Sequence, residues 1–374
     1  MDPEAVAASH QPLPLRVWSS RDSTRRARLR RRVVTLPAVL LGFVLFLALL
    51  VPALVVGALV DVLGRRRWAT VRVALYAVWW AGLESMGVVM AGVLWLRFAP
   101  GGRLRGEASF RAHSGLQRWW ATNLVRGARR LLGLRFQLDD ATPLQRGGPL
   151  VVLARHGSQG DALLVAAMLA SSGLRPRFIL KRQLLWDPCL DLVGHRIPNY
   201  FVDRDTADNR EEVRNVGRLG EGLGADEAVV LFPEGTRFSP AKLERAVGIL
   251  GDTDPGRVPQ VRGLRRVLPI RTAGILEILD SAPTPDLVFL NHVGVSDFRS
   301  LRDLWRNVPF ASPLRFTAER FDRGQVPPNG EQAALVRWLD ERWVEFDAWV
   351  AANSVQPVGH RLDRRGHRTG VRAL

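Results

Sequence analysis

Two short strings in this chain hold the residue types that acid–base chemistry and anion binding require. The first is Arg155-His156-Gly157-Ser158-Gln159-Gly160-Asp161. An apolar run, Pro149 to Ala154, precedes it and reads as a buried strand, while Ala162 to Leu169 reads as the start of a helix. His156 and Asp161 stand too far apart to share one face of a regular helix. Gly157 and Gly160 let the backbone turn between them, so the carboxylate can fold back onto the imidazole. A carboxylate on one ring nitrogen fixes the tautomer and leaves the other nitrogen free to take a proton. Such a pair is two-thirds of a triad without an evident protein nucleophile, which suits attack by a hydroxyl of the substrate. Ser158 is the rival nucleophile, that of a serine hydrolase. Against it, His156 occupies the place where the G-x-S-x-G elbow needs a glycine.

The second string, Phe232-Pro233-Glu234-Gly235-Thr236-Arg237, follows another strand-like run, Ala228 to Leu231. Gly235 permits a turn, and Thr236 with the following N–H groups can cradle an anion. Arg237 offers a planar fork for phosphate or carboxylate. Glu234 either holds Arg237 or hydrogen-bonds substrate hydroxyls. A purely structural turn is the alternative. Two further strand ends have the same character. Asn199 to Arg204 closes on the pair Asp203-Arg204, and Lys181 follows Phe178-Ile179-Leu180. Lys181 and Lys242 are the only lysines in a chain that otherwise uses arginine, which hints at a compact point charge at 181.

The elements that must position these strings come from a chain of 374 residues, enough for one large domain or two modest ones. The net charge of +17 is nearly all arginine and accompanies much Ala, Gly and Val, as GC-rich coding would produce. No aromatic-studded basic motif of the RNA-binding kind is present, so nucleic acid is not an expected partner. Cys189 is the lone cysteine and the seven histidines form no ligand cluster with it, so no disulfide and no metal are expected.

Residues 1–32 carry eight arginines and read as a basic disordered arm. Val33 to Val60 then run 28 residues without a charge. As one helix that is about 42 Å, more than the ~30 Å hydrocarbon core of a bilayer, with Pro52 as a possible kink. A second apolar run, Val73 to Leu96, is broken by Glu84, whose expected role is to face the partner helix. Residues 33–96 thus form a two-helix membrane hairpin, with Arg65, Arg66, Arg67 and Arg72 at its tip. Either it crosses the bilayer, or both helices lie at the interface. In both cases the arm and the rest of the chain share one side, which the arginine load makes cytoplasmic.

Residues 97–148 read as a linker with a basic amphipathic helix from about Leu116 to Leu134. From 149 to 300, strands alternate with helices: Val151–Leu153, Phe178–Leu180, Tyr200–Val202, Val229–Phe232, Val267–Ile270 and Leu287–Leu290 are the candidate strands. Alternation of this kind predicts an α/β domain with a mostly parallel central sheet and flanking helices. Residues 301–356 read as a C-terminal helical part packing on that domain, chiefly the amphipathic stretch Glu331 to Ala352. The tail, 357–374, is basic and reads as disordered.

Taken together, four strings stand in a telling order: His156-(x4)-Asp161, Phe201-Val202-Asp203-Arg204, Phe232 to Arg237, and Leu268-Pro269-Ile270. From about Leu131 to Gly294 the chain resembles the glycerolipid acyltransferases, the 1-acylglycerol-3-phosphate acyltransferase (lysophospholipid acyltransferase) family. The segment from Lys181 to Pro188 resembles the family's lysine-containing stretch, and Arg271 to Gly274 with Asp286 to Gly294 resembles the branch acting on larger lysophospholipids. There are departures: Arg155 stands where Asn or Ser is usual, Pro198 replaces a glycine, and Leu268-Pro269 replaces Val-Pro. The resemblance implies a membrane-bound enzyme that moves a fatty acyl group from acyl-CoA or acyl carrier protein to a lysophospholipid hydroxyl, 1-acyl-sn-glycerol-3-phosphate first. It implies His156 as general base, Asp161 as its orienter, and Lys181, Arg204 and Arg237 on the acceptor phosphate, with Glu234, Gly235 and Thr236 shaping that pocket. No cofactor is implied beyond the thioester co-substrate. The competing expectations are a serine hydrolase using Ser158 and a membrane-anchored lipid-binding protein without activity.

Overall fold

Leu150-Val151-Val152-Leu153-Ala154 and Glu227-Ala228-Val229-Val230-Leu231 are buried at every position. A strand apolar on both faces must be covered on both faces, as in parallel sheets flanked by helices. The computed structural model describes residues 18–19, 24–158, 160–202, 209–294 and 301–354. Among them, β1 (Trp18–Ser19), β2 (Phe136–Leu138), β3 (Leu150–Ala154), β4 (Arg175–Lys181), β5 (Tyr200–Val202), β6 (Glu227–Leu231), β7 (Asp286–Val293) and β8 (Leu314–Phe321) form one sheet. Its order is β1-β5-β4-β6-β3-β7-β8-β2. Each neighbouring pair is parallel except β7 with β8. The mixed, mostly parallel sheet is the architecture expected.

The helices are α1 (Arg25–Ala48), α2 (Leu50–Leu63), α3 (Ala69–Phe98), α4 (Glu107–Leu131), α5 (Asp161–Ser171), α6 (Pro188–Gly194), α7 (Asn209–Gly217), α8 (Pro240–Thr253), α9 (Ala273–Ser281), α10 (Leu301–Asn307) and α11 (Gln332–Asn353), with short turns between some of them. Side chains alternate across the sheet. Leu150, Val152, Ala228 and Val230 face a cluster with α4 and α5. Val151, Leu153, Val229 and Leu231 face the other, with α7, α9 and the Leu335, Leu339, Trp343 and Phe346 stripe of α11.

Several expectations change. The arm 1–32 is not disordered throughout: Trp18–Ser19 pair with β5, and Arg25–Arg32 open α1. The apolar segment Val267–Ile270 is buried, as predicted, but it is not a strand. Its backbone donors are taken by carboxylates: Asp347 accepts from Arg265, Arg266 and Val267, Glu234 accepts from Leu268, and Pro269 has no N–H. Conversely, the sheet recruits β2 and β8 from the segments on either side of 149–300. Residues 301–356 therefore supply a strand as well as helices. In β8, Leu314, Phe316 and Ala318 point inward between partly exposed Arg315 and Thr317, a period-2 pattern that marks a half-covered strand.

The apolar run from Val33 is also two helices, not one. It breaks at Leu49, where Pro52 lacks the N–H that would bond the Ala48 carbonyl. α1 and α3 are each long and apolar enough to cross a membrane. Leu41, Val44, Val51, Val56, Val89 and Val93 are among many large apolar side chains left exposed on α1 to α3. The opposite side of α3 packs on α4. Trp79 Nε1 donates to the Asn123 carbonyl at 3.0 Å, and Trp120 Nε1 donates to Glu84 Oε1 at 3.0 Å. Glu84 is thus a buried inter-helix acceptor, but its donor comes from α4 and not from the other apolar helix of the hairpin, the partner expected for it.

Both ends of the hairpin are bonded to the α/β domain. At the base, Arg31 and Arg32 hold Asp191 of α6 at 2.8 and 2.7 Å. At the tip, Arg72 Nη1 donates to the Leu131 carbonyl at 3.0 Å, and Trp305 Nε1 of α10 donates to Thr70 Oγ1 at 2.8 Å. The Arg66 guanidinium lies 3.6 Å above the Trp305 ring. The Asp191 side chain is fully buried, so Asp191→Ala strands two arginines without their partner. Breaking a buried pair on one side costs ~3–5 kcal/mol. The expected result is rapid tryptic cleavage at Arg28–Arg32 of the detergent-solubilised variant, with the α/β domain still resistant. Unchanged protection would mean that apolar packing alone holds α1.

Candidate active site

Register explains why the two chemical strings meet. Leu153 of β3 lies beside Leu231 of β6, and Ala154 lies beside Leu290 of β7. The loops after β3 and β6 therefore leave the sheet at the same level, next to the last turn of β7. This is the C-terminal edge, where open α/β sheets place their ligands. β4 lies two strands from β3, so Lys181 at its end is ~10 Å to the side.

The His156 imidazole and the Asp161 carboxylate are in contact, Nδ1 to Oδ2 at 3.2 Å. Asp161 is the first residue of α5, with a side chain 1% exposed, whereas that of His156 is 19% exposed. Nδ1–H on the carboxylate leaves Nε2 as the proton acceptor, and Nε2 has no hydrogen bond among the described residues. The Phe232 ring lies 5.2 Å from the imidazole, centroid to centroid. Ser158 also serves Asp161. Its N–H donates to Oδ2 at 2.7 Å and its hydroxyl donates to Oδ1. Burial pushes the Asp161 carboxyl up, but His292, His156 and the Ser158 donors outweigh it and hold it below the ordinary carboxylate range. The serine hydroxyl is buried and turned to the carboxylate, not to the imidazole. That arrangement does not activate it as a nucleophile.

Glu234 is buried, and neither carboxylate oxygen bonds Arg237. Its Oε1 accepts from the His156 N–H at 2.7 Å and its Oε2 from the Leu268 N–H at 3.0 Å. One carboxylate thus ties the first, third and fourth strings together. Burial pushes Glu234 up to about 7, against the pull of those two donors and of Arg155. Arg155, the departure in the first string, donates to the His292 carbonyl at 2.7 Å.

The loop after Glu234 is lined by cations. Gly235 adopts φ 67°, and a side chain there would meet the Arg271 guanidinium at 2.9 Å from its Nε. Lys242 Nζ donates to Thr236 Oγ1 at 3.0 Å and to the Arg237 carbonyl at 3.1 Å. Among the described residues the side chains of Arg237 and Arg271 make no hydrogen bond or ion pair. Arg204 lies outside the described residues. Three groups escaped the sequence reading as site residues. Lys242 carried the same signal as Lys181, a lysine where the chain prefers arginine. Arg271 lay in a string noted only for its likeness. His292 had no local signal.

Residues 135–287 match the Acyltransferase family model. Over that span the α/β domain is similar to the acyltransferases. The chain is 33% identical over 120 residues to the lyso-ornithine lipid O-acyltransferase of Rhizobium meliloti (strain 1021), covering 32% of this chain and 38% of that protein. The crystal structure of the 1-acyl-sn-glycerophosphate (LPA) acyltransferase PlsC from Thermotoga maritima superposes with TM-score 0.46 at 14% identity, over 77% of this chain and 100% of that one.

Proposed function

We propose that this protein transfers a fatty acyl group from a thioester, acyl-CoA or acyl carrier protein, to the hydroxyl of an anionic lysolipid. One observation carries the proposal: a solvent-reachable imidazole, oriented by a buried carboxylate, lies one strand from a cation-lined loop and, among the described residues, has no protein nucleophile bonded to it. His156 Nε2 takes the acceptor hydroxyl proton as the oxygen attacks the thioester carbonyl. The tetrahedral adduct expels the thiolate, which takes the proton back from the imidazolium; ester and free thiol result. Asp161 stabilises the imidazolium during that interval. A thiolate leaves with little acid assistance, so one base suffices.

Arg237, Arg271 and Lys242 suit an anionic head group, and 1-acyl-sn-glycerol-3-phosphate giving phosphatidic acid is the first candidate. The relative from Rhizobium favours a second reading, an ornithine-headed acceptor. The exposed apolar faces of α1 to α3 fit a bilayer. Because base and tip both bond the same domain, the hairpin would lie along one leaflet instead of crossing. The arginine excess fits the anionic cytoplasmic leaflet. Labelled acyl-CoA offered to the purified chain with a panel of lysolipids tests this. Label in one diacyl product supports it; release of free fatty acid alone indicates a hydrolase, and acyl binding without turnover an inactive lipid carrier.

Arg237→Lys separates a ligand from a turn residue. Glu234 is already held by two N–H groups, so Arg237 has no structural carboxylate to lose. Removing one fork of a charged hydrogen bond worth ~1.5–3 kcal/mol should raise KM for the lysolipid about 10- to 150-fold. KM for acyl-CoA should hardly move. A variant that melts earlier with both constants unchanged would make Arg237 structural.

A further inference from the structure

The His292 imidazole is fully buried in β7, 137 positions beyond Arg155 in the chain and pressed against the catalytic loop. Its Nε2 lies 3.3 Å from Asp161 Oδ1 and 3.3 Å from the Arg155 carbonyl oxygen. Its Nδ1 has no hydrogen-bond partner among the described residues. Two acceptors at Nε2 and none at Nδ1 select the neutral tautomer protonated at Nε2. The other wall is set by Phe316 of β8, whose ring centroid is 5.5 Å away, and by Gly157, where a side chain would meet His292 Cε1 at 3.3 Å. Packing thus leaves this ring little room to turn. On its own strand, Asn291 Oδ1 accepts the His292 N–H at 2.9 Å, and Asn291 Nδ2 donates to the Phe346 carbonyl at 2.9 Å, tying the strand to α11.

We propose that His292 is a positioning residue for the reaction: its Nε2–H holds the Asp161 carboxylate and the Arg155 carbonyl in place, and so aims His156. The carboxylate would then be clamped from two sides, by Ser158 from its own loop and by His292 from the neighbouring strand. Its Oδ2 serves the His156 imidazole together with the Ser158 N–H. A serine alone fixes the carboxylate relative to the loop; the histidine fixes it relative to the sheet. The charged and titratable groups around His292 are Asp161, Arg155 and His156. Glu234 stands on the far side of the His156 backbone. The inference rests on the acyl-transfer reading above.

The test compares His292→Gln, His292→Asn and His292→Leu in the full chain, with His156→Ala alongside. A glutamine amide nitrogen reaches the Nε2 position, whereas an asparagine amide reaches only the Nδ1 position. His292→Leu should lower kcat ~10- to 100-fold, the scale of a sub-ångström to ångström misplacement, with both KM values unchanged. His292→Gln should restore kcat, and His292→Asn should not. Equal kcat in the Gln and Asn variants, or wild-type kcat in a folded Leu variant, would overturn the inference. If the Leu variant does not fold, the Gln and Asn pair decides alone. Undiminished transfer by His156→Ala would instead overturn the underlying reading, so the two failures are distinct.

Discussion

His156→Ala should lower kcat for acyl transfer by ~10²–10⁴-fold, the usual worth of a general base. The protein should stay folded and bound to vesicles. The side chain is partly exposed, packs beside Phe232 and makes its one hydrogen bond to Asp161, so its removal leaves no buried donor unpaired beyond that loop. Asp161→Asn should be at least as damaging, for a different reason. The carboxylate accepts from His156, from the Ser158 N–H and from the Ser158 hydroxyl. A carboxamide offers one acceptor oxygen and turns an NH₂ group toward one of those donors. The imidazole then loses its tautomer control as well as its orientation. Kinetics with lysolipid and acyl-CoA, paired with a melting curve, check both variants. A His156→Ala enzyme that retains more than a tenth of wild-type kcat would remove the base from the mechanism.

Glu234→Gln should lower stability and activity together. Each Glu234 oxygen meets a backbone N–H, and glutamine can satisfy only one of them. An unsatisfied buried donor costs ~1–3 kcal/mol. Because one donor belongs to His156 and the other to Leu268, the loss loosens the catalytic loop against the 265–268 segment. The pH dependence gives an independent signature. Burial raises Glu234 to about 7, above its ordinary carboxylate range, so between those values the folded state holds the proton more tightly than the unfolded chain. Stability from this group is full below the ordinary range and is lost as pH rises through about 7. Glutamine does not titrate, so the variant should lack that slope. Denaturation midpoints of both proteins from pH 4 to pH 8 check this. Parallel curves would place the buried charge elsewhere.

The legible parts of the fold were those governed by local pattern. β3 and β6 stand out because a parallel strand covered on both faces is apolar along nearly its whole length, and α11 stands out through its helical stripe. His156 and Asp161 were legible because glycines flank the turn that joins them. The rest depended on contacts between distant segments. Val267–Ile270 looks like a strand because it is buried and apolar. What prevents a ladder is Asp347, some 80 residues away, which accepts the Val267 N–H, and Glu234, which accepts the Leu268 N–H. Glu234 looked like a ligand because it sits beside Thr236 and Arg237, yet its partners are backbone groups of two other loops. His292 enters the site only through the pairing of β7 with β3, which no local spacing reveals. The hairpin tip was equally opaque: its arginines read as solvent-seeking, and only Thr70, Arg72 and Trp305 show that it returns to the domain.

The central claim is direct attack by the lysolipid hydroxyl, with His156 as base and no acyl-enzyme. A rapid-quench experiment with labelled acyl-CoA and stoichiometric protein, with and without lysolipid, tests it most directly. The account predicts that no label is bound covalently in the absence of acceptor. On adding acceptor, the label should pass in one phase into the diacyl product, and Ser158→Ala should do the same at a reduced rate, since that serine only braces Asp161. Stoichiometric label on Ser158 before acceptor is added, lost in the Ser158→Ala protein, would contradict it.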